Sequence, residues 1–268
     1  MVRTLGELGL TARTRDGAAG GRMAGGGMAG GGGVRVTGIS VSSRDVAEGH
    51  LFAALPGSRV HGAEFITYAL RMGAVAILTD AEGARIAAEP LAGSSAALVV
   101  VEDPRQALAM AAALWFGAQP AVMTAVTGTN GKTSIATFTR QIWQALGHRA
   151  INLGTTGVEG DWEASCPHTT PEPVTLHRIL AAAAGAGITH AAMEASSHGL
   201  DQRRLDGVRL AAAGFSNFTQ DHLDYHGSFD AYFAAKAGLF ARILPEDGVA
   251  VVNIDDPRAP DVVALARM

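Results

Sequence analysis

The feature that most constrains the fold is the segment AVMTAVTGTNGKTSIATFTRQIW, at residues 121–143. A β-rich run enters a tight glycine turn, and a helical pattern follows the turn directly. One face of that helix carries Ile135, Phe138, Ile142 and Leu146. A strand, a glycine turn and a helix in this order form the phosphate-binding element of α/β folds, so we expect a nucleotide-binding domain here.

The glycine turn has the chemistry that a nucleotide needs. Gly128 and Gly131 let backbone amides approach a phosphate, and the new helix directs the positive end of its dipole to the same place. Lys132 can reach the β- and γ-phosphates of ATP, and the Thr133 hydroxyl can join the shell of a magnesium ion. The strict G-x-x-x-x-G-K-[ST] pattern needs a glycine where this chain has Val126, so the match is to the shorter G-x-x-G-K-T. A solvated turn with a chance lysine would not explain why a strand, two glycines, the lysine and threonine, and a helix follow one another in the order that a phosphate loop requires.

The length of 268 residues favours two domains, each large enough for its own core. We expect an N-terminal segment at 1–33, a first domain at 34–118 and a second domain at 119–268. Within the first segment, residues 17–33 hold 10 of the 34 glycines, which predicts a flexible insertion. A phosphate loop in this insertion is disfavoured, because neither flank supplies the strand and the helix that such a loop requires.

Short β-rich runs alternate with helical runs in both domains. In the first domain, we expect strands at 34–39, 51–55, 74–79 and 96–101, and helices at 63–72 and 104–116. In the second domain, we expect strands at 121–127, 150–153, 189–194, 211–215 and 249–253, and helices at 132–146, 174–184 and 229–244. The pattern predicts an α/β fold, with a mostly parallel sheet covered on both faces in the second domain. Ligands of such sheets gather at the carboxyl ends of the strands.

Composition narrows the class of protein. Charged residues make up 17% of the chain and the net charge is −4, which argues against a disordered acidic tail and against a basic nucleic-acid binder. The single cysteine, Cys166, cannot form an internal disulfide. No run approaches ~18 apolar residues, and no signal-like h-region opens the chain. We therefore expect a soluble cytoplasmic protein without membrane insertion.

Acidic and imidazole groups follow two of the expected strands. Glu194 ends an apolar strand, where its carboxylate would face the ligand crevice and need a metal or hydrogen bonds. The run SNFTQDHLDYHG, at 216–227, also leaves a strand and crowds four acidic and imidazole groups into one loop. A zinc hydrolase is disfavoured: His222 and His226 have i, i+4 spacing, but Leu223 stands where the base should be, and the aspartates and glycine argue against a helix.

Two further segments carry weaker signals. HTTPEP, at 168–173, is a proline-bounded loop whose hydroxyls and imidazole could hold a polar substrate. Ser196, Ser197 and His198 suggest a hydrolase nucleophile, but no G-x-S-x-G elbow surrounds either serine.

Together, VTGTNGKT, HTTPEP, MEASSHGLDQRR and DHLDYHG resemble the Mur ligases of peptidoglycan synthesis, over about 34–258. The last two segments most closely resemble the branch that adds the third residue of the stem peptide to UDP-N-acetylmuramoyl-L-Ala-D-Glu. This resemblance implies a first domain that binds the UDP-sugar and a central ATPase domain. It also implies an amide ligase that uses ATP and Mg²⁺ and forms an acyl-phosphate intermediate. The amino-acid acceptor is left open between meso-diaminopimelate, lysine and another amine, and the first is our expectation from its frequency in the family.

The resemblance also assigns roles to residues. The expected ATP ligands are Gly128, Thr129, Asn130, Gly131, Lys132, Thr133 and Ser134. The expected magnesium ligands are Thr133, Glu194, His222 and Lys236, and Lys236 matches the lysine that this family carbamylates with CO2. Catalytic roles fall to Lys132, Lys236 and His222. Without the resemblance, Lys236 would be interpreted as an ordinary surface lysine on an amphipathic helix.

The expected UDP-substrate contacts come from both domains. They are Val41, Ser43, Ser58, Arg59 and Val60 from the first domain, and His168, Thr169, Thr170, Ser196, Gln202 and Arg204 from the second. Two positions depart from the family pattern: Ser42 and His61 stand where aspartate is usual.

Three other functions are compatible with a phosphate loop. A folylpolyglutamate-type or a cyanophycin-type ligase is disfavoured by the MEASSHGLDQRR and DHLDYHG spacing and by the UDP-type first domain. A nucleotide-binding module without catalysis is the third alternative. Because the family has a further C-terminal domain and this sequence stops at Met268, we expect residues 1–268 alone not to form the amide bond.

Overall fold

The structure is a computed structural model that describes residues 1–12, 32–166 and 168–267. It divides into two compact units, Met1–Trp115 and Phe116–Met268. Most of the expected glycine-rich insertion, residues 17–31, lies outside the described residues.

The first unit contains two small sheets. Strands β1 (Arg3–Thr4) and β2 (Arg35–Val36) pair antiparallel. The parallel sheet has the order β3 (Gly38–Ser40), β4 (His50–Ala53), β5 (Ala76–Thr79) and β6 (Ala97–Val100). Its α-helices are α1 (Ile66–Arg71), α2 (Ala81–Ile86), α3 (Ala88–Ala92) and α4 (Pro104–Phe116). Short 3-10 turns lie at Gly6–Leu8, Ser43–Asp45 and Gly62–Phe65.

Local capping explains where these helices begin. The Asp103 carboxylate accepts a hydrogen bond from the Gln106 amide at 3.0 Å, and Pro104 opens α4 at the residue where the sequence predicted this helix to begin. The Asp80 carboxylate accepts from the Gly83 amide at 2.7 Å and starts α2. Neither α2 nor α3 was predicted, because glycine and proline interrupt their short helical pattern.

The second unit is built on one six-stranded sheet with the order β12-β11-β7-β10-β8-β9. Its strands are β7 (Val122–Thr127), β8 (Ala150–Gly154), β9 (Gly157–Gly160), β10 (His190–Glu194), β11 (Ala212–Phe215) and β12 (Val249–Val252). All neighbouring pairs are parallel except β8 with β9, which confirms the predicted mostly parallel sheet. The sequence did not predict β9.

The helices of this unit connect the strands. They are α5 (Lys132–Ala145), α6 (Pro173–Gly185), α7 (Ser197–Asp201), α8 (Leu223–His226), α9 (Phe229–Gly238) and α10 (Ala259–Leu265). A π-helical turn, Leu239–Ile243, continues α9 and accounts for the longer helix that the sequence predicted there. Because β10 and β11 both pair parallel with β7, the carboxyl ends of these three strands meet at one edge of the sheet, where the phosphate loop begins.

Helix α5 buries a narrow face. Ala136 packs with Val126 and Ala192 of the sheet, and Trp143 lies against this small cluster. The apolar residues noted on its other face are largely exposed, with Phe138 at 59% and Ile142 at 60%. Small side chains at the contact let the helix that follows the phosphate loop approach the sheet closely.

Burial of His177 on α6 makes stability depend on pH. Its side chain is 1% exposed, its Nε2 lies 3.2 Å from the Asp206 carbonyl oxygen, and burial lowers its pKa to about 4. The unfolded chain takes up this proton near pH 6.5 while the folded chain stays neutral, so stability is complete above that pH and falls as pH drops toward 4. We expect a loss of up to about 3 kcal/mol, measured by urea unfolding at several pH values. The variant His177→Gln should have a flatter profile, and identical slopes would contradict the assignment.

Candidate functional site

One cavity of about 310 Å³ lies at the carboxyl ends of the central strands of the second unit. Its lining residues are Thr129, Asn130, Gly131, Lys132, Thr133, Thr155, Thr169, Glu194, Ser196, Ser197, His222 and Lys236. Segments that are far apart in sequence therefore meet here, including the glycine turn, the HTTPEP loop, the end of β10 and α9. The sequence did not single out Thr155, because nothing in the isolated segment distinguishes it from other loop threonines.

The residues that follow β11 hydrogen-bond to the phosphate loop and hold its backbone in place. The Ser216 hydroxyl donates to the Asn130 carbonyl oxygen at 2.7 Å, and the Asn217 side-chain oxygen accepts from the Asn130 amide at 2.9 Å. Gly128, at φ 145°, could not be another residue, because a Cβ there would overlap the Ser216 hydroxyl. Gly131, at φ 86°, lies in the left-handed region just before α5. The loop is thus fixed before a ligand arrives.

Both lysines of this chain, Lys132 and Lys236, lie in the cavity. The Lys132 ammonium donates to the carbonyl oxygens of Gly128 and Thr129, at 2.9 and 2.8 Å. Lys236 donates to the same Gly128 oxygen at 2.7 Å from a side chain that is 1% exposed. Two amines therefore meet at one carbonyl oxygen of the phosphate loop.

Burial changes the basicity of both amines. It lowers the pKa of Lys132, an effect that the nearby carboxylates of Glu194 and Asp221 partly oppose. For Lys236, burial and the neighbouring Lys132 charge lower the pKa to about 7, again opposed by Asp221. A substantial fraction of Lys236 is therefore a neutral amine at neutral pH, unlike the surface lysine that the sequence alone would suggest.

Glu194, at the end of β10, is a buried carboxylate with partners on two sides. Its Oε1 accepts from the Thr133 hydroxyl and from the Thr155 amide, both at 2.9 Å. Gly154 must lack a side chain, because a Cβ there would overlap the same carboxylate. The structure thus joins Thr133 and Glu194, two residues that the family resemblance assigned to magnesium.

His222 precedes the one-turn helix α8, where the sequence argued against any helix. That prediction was wrong, because the His222 carbonyl oxygen accepts from the amides of Tyr225 and His226, at 3.2 and 3.1 Å, and closes the turn. His222 itself has φ 50°, and Gly227 ends the helix in the left-handed region. His222 lines the cavity; His226 does not appear in the lining.

The described ranges contain no cluster of three or more His, Cys, Asp or Glu side chains arranged to hold a metal. This finding gives no support to the zinc-hydrolase alternative. It is compatible with Mg²⁺, which is usually held by one or two carboxylates together with waters and substrate phosphates.

The HTTPEP loop packs against the end of β10. The Thr170 hydroxyl donates to the Glu194 carbonyl oxygen at 3.0 Å and accepts from the Ser196 amide at 3.1 Å. The Thr169 and Thr155 hydroxyls lie 2.9 Å apart at the cavity wall. His168 lies outside the cavity lining with an exposed side chain.

Arg204 and Gln202 stand behind this loop. The Arg204 guanidinium donates to the Thr170 carbonyl oxygen at 2.6 Å and to the Gln202 side-chain oxygen at 2.7 Å. The structure therefore places Thr170, Ser196, Gln202 and Arg204 in one connected network beside the cavity.

The candidate residues of the first unit lie after neighbouring parallel strands. Val41 and Ser43 follow β3, and residues 58–60 follow β4, so both groups lie at the same edge of the four-stranded sheet. Ser42 and His61, the two residues that depart from the family pattern, each cap the start of a 3-10 turn. Ser42 accepts from the Arg44 amide at 3.3 Å, and His61 Nδ1 accepts from the Ala63 amide at 3.0 Å.

None of the helices in the described part of the chain is long and apolar enough to span a bilayer.

Two family profiles match the chain. One, described as "Mur ligase middle domain", matches residues 126–267, and the other, described as "Mur ligase family, catalytic domain", matches residues 35–116.

The chain is also similar to curated proteins. It is 50% identical over 237 residues to a UDP-N-acetylmuramoyl-L-alanyl-D-glutamate--2,6-diaminopimelate ligase of Brucella melitensis, covering 87% of this chain and 47% of the relative. A protein of the same name from Caulobacter vibrioides is 49% identical over 238 residues, covering 86% and 48%. The chain thus spans about half the length of the curated relatives it matches.

Solved structures agree with these matches. A UDP-N-acetylmuramoyl-L-alanyl-D-glutamate--2,6-diaminopimelate ligase superposes with a TM-score of 0.73 at 34% identity, covering 87% of this chain and 46% of that structure. MurF from Acinetobacter baumannii superposes with a TM-score of 0.55 at 23% identity, covering 87% and 47%, which shows a shared fold.

Proposed function

This chain belongs to the Mur ligase family, and we propose that its protein is an ATP-dependent ligase of peptidoglycan synthesis. Its substrate would be UDP-N-acetylmuramoyl-L-Ala-D-Glu, and meso-diaminopimelate would be the amino acid joined to it, as the names of the relatives suggest. The observation that carries the proposal is the meeting of the phosphate loop, Glu194 and Lys236 in one cavity. Cell-wall synthesis from a UDP-linked precursor also fits the cytoplasmic location expected from the sequence.

The reaction would have two steps. The D-Glu carboxylate attacks the γ-phosphorus of ATP, ADP leaves, and an acyl phosphate forms. The amine of the incoming amino acid then attacks the acyl carbon, phosphate leaves, and the nitrogen loses a proton to give the amide. Lys132 and the amino end of α5 would stabilise the negative charge that moves between the phosphate groups, which is mainly a matter of position and electrostatics.

The remaining phosphate-loop residues would bind ATP through backbone amides and short polar side chains. They are Gly128, Thr129, Asn130, Gly131, Thr133 and Ser134. Ser134 follows Thr133 in the first turn of α5, and its side chain is absent from the cavity lining. It would therefore bind the phosphates of ATP through its backbone amide.

The chemistry of the donor set fits magnesium. Thr133 and Glu194 would hold one ion through a hydroxyl and a carboxylate, which are the hard oxygen donors that magnesium prefers. His222, which also lines the cavity, would be a ligand of a second ion. When bound, the ion would supply positive charge that neutralises the phosphate oxygens. The Thr133–Glu194 hydrogen bond keeps these two side chains together before the ion arrives.

We also propose that Lys236 is carbamylated. The neutral amine of Lys236 would attack the carbon of CO2, an N–C bond would form, and one C=O electron pair would move to oxygen. The nitrogen would then lose a proton to solvent, so that the neutral amine becomes an anionic carbamate able to join the metal site. Support comes from the burial of Lys236, from its contact with the Gly128 oxygen and from its low pKa of about 7. A protonated amine has no lone pair for this attack.

The UDP substrate would contact both units. The proposed ligands in the second unit are His168, Thr169, Thr170, Ser196, Gln202 and Arg204, and those in the first are Val41, Ser43, Ser58, Arg59 and Val60. Arg204 suits the D-Glu carboxylate, because a guanidinium binds a carboxylate with two parallel hydrogen bonds.

Binding measurements test the proposal against the folylpolyglutamate alternative. We expect the chain to bind ATP in the presence of Mg²⁺, and to bind UDP-N-acetylmuramoyl-L-Ala-D-Glu in a calorimetric titration. Dihydrofolate, a folate-type acceptor that also ends in a glutamate with free carboxylates, is the control ligand and should not bind. Binding of the folate compound without binding of the UDP compound would contradict the proposed substrate.

A further inference from the structure

We propose that Tyr225 is a positioning residue for the carboxylate-bearing end of the UDP substrate and that it acts through Gln202. This inference rests on the function proposed above. Tyr225 lies on α8, outside the cavity lining, and contacts Gln202 at the end of α7.

The Tyr225 hydroxyl joins two groups at the end of α7. It accepts a hydrogen bond from the Gln202 Nε2 at 2.9 Å and donates to the Asp201 carboxylate at 2.8 Å. Donation to a charged acceptor polarises the hydroxyl and strengthens its own acceptor side. The hydroxyl therefore fixes the orientation of the Gln202 amide.

The orientation of the Gln202 amide determines whether its oxygen or its NH₂ group faces the Arg204 guanidinium. With Nε2 directed to Tyr225, the Gln202 Oε1 faces Arg204 and accepts from its Nε and Nη2, at 3.2 and 2.7 Å. A reversed amide would direct its NH₂ group at the guanidinium, where two donors repel. Tyr225 thus holds Gln202, Gln202 holds Arg204, and Arg204 contacts the Thr170 carbonyl oxygen at 2.6 Å.

The ring of Tyr225 ties this network to the other side of the site. It packs against His198 with ring centroids 4.1 Å apart, and His198 lies 4.9 Å from His222. Tyr225 therefore contacts both the Gln202–Arg204 pair and, through His198, the turn that begins at His222. Holding a flexible glutamine and arginine in place in advance reduces the entropy lost when substrate binds.

The test compares two ligands and two matched tyrosine variants. Affinity is measured for UDP-N-acetylmuramoyl-L-Ala-D-Glu and for the shorter UDP-N-acetylmuramoyl-L-Ala. Tyr225→Phe should weaken binding of the first about fivefold to tenfold, the effect of losing a hydrogen bond that orders a charged contact. It should change binding of the second less than about twofold. Tyr68→Phe, the same change on an exposed tyrosine of α1, is the control and should alter neither.

A double-mutant cycle separates positioning from general damage. If Tyr225 acts through Gln202, then Tyr225→Phe should have no further effect in a Gln202→Ala background. Additive effects, or equal weakening of both UDP ligands, would overturn the inference. Asp201→Asn is a second variant that leaves Tyr225 itself unchanged and removes the charged acceptor of its hydroxyl. It should also weaken binding of the dipeptide ligand more than binding of the shorter one, and equal affinity of this variant and the parent for the dipeptide ligand would count against the inference. Failure of the unmodified chain to bind the dipeptide ligand would instead count against the proposed function, and with it this inference.

Discussion

Replacing Lys132 with alanine is expected to weaken binding of Mg·ATP about a hundredfold or more. A charge-assisted hydrogen bond contributes about 1.5–3 kcal/mol, and Lys132 would make such bonds to both the β- and γ-phosphates. The chain has one other lysine, Lys236, whose low pKa makes it a poor substitute for the lost cation. The measurement is a nucleotide titration of the variant beside the parent.

Two controls keep this result interpretable. Lys132→Arg retains the charge and should recover part of the affinity, although the guanidinium has a different shape. Gln141→Ala changes an exposed residue on the same helix and should leave affinity unaltered. Unchanged ATP affinity in Lys132→Ala would show that the glycine turn is not the phosphate site.

The parts of the fold that could be predicted are those whose signal is local. The phosphate loop, α5 and α4 each have a glycine, a cap or a proline at the expected position, and the structure begins these helices at Lys132 and Pro104. The parallel order of the sheet follows from the alternation of strands and helices, which confirmed the predicted fold class.

The missed parts depend on contacts between distant segments. Strand β1 has two residues and forms only because β2 pairs with it across the glycine-rich segment. Helix α8 forms around the carbonyl oxygen of His222, although its composition is typical of a loop. Such elements carry too little local preference to be recognised before their partners are known.

The same distinction applies to the candidate site. Its residue types could be identified from the sequence, but the burial of Lys236 could not, because the elements that cover it come from elsewhere in the chain. Burial is what lowers its pKa and separates a reactive amine from an ordinary surface lysine.

Carbamylation of Lys236 gives the second large expected effect. In buffer equilibrated with ¹³C-labelled CO2, we expect a carbamate carbon signal in the NMR spectrum of the parent chain and its loss in Lys236→Ala. Lys132 and the N-terminal amine are the other amines of the chain, so loss of the signal in Lys236→Ala is what assigns it. Lys132→Ala is the matched control and should keep the signal, at a somewhat higher pH, because the Lys132 charge lowers the pKa of Lys236. At constant dissolved CO2, the signal should rise as pH increases through about 7, because the neutral amine is the nucleophile.

The metal site should respond to the same substitution. Lys236→Ala removes the carbamate oxygens, so we expect the magnesium concentration needed for ATP binding to rise about tenfold or more, the effect of losing one charged ligand. Added formate or acetate should partly reverse this change by filling the space with a carboxylate, and should not help the parent. A parent chain without a labelled carbamate, or a Lys236→Ala variant with an unchanged magnesium requirement, would identify this lysine as structural, held in place by its hydrogen bond to Gly128.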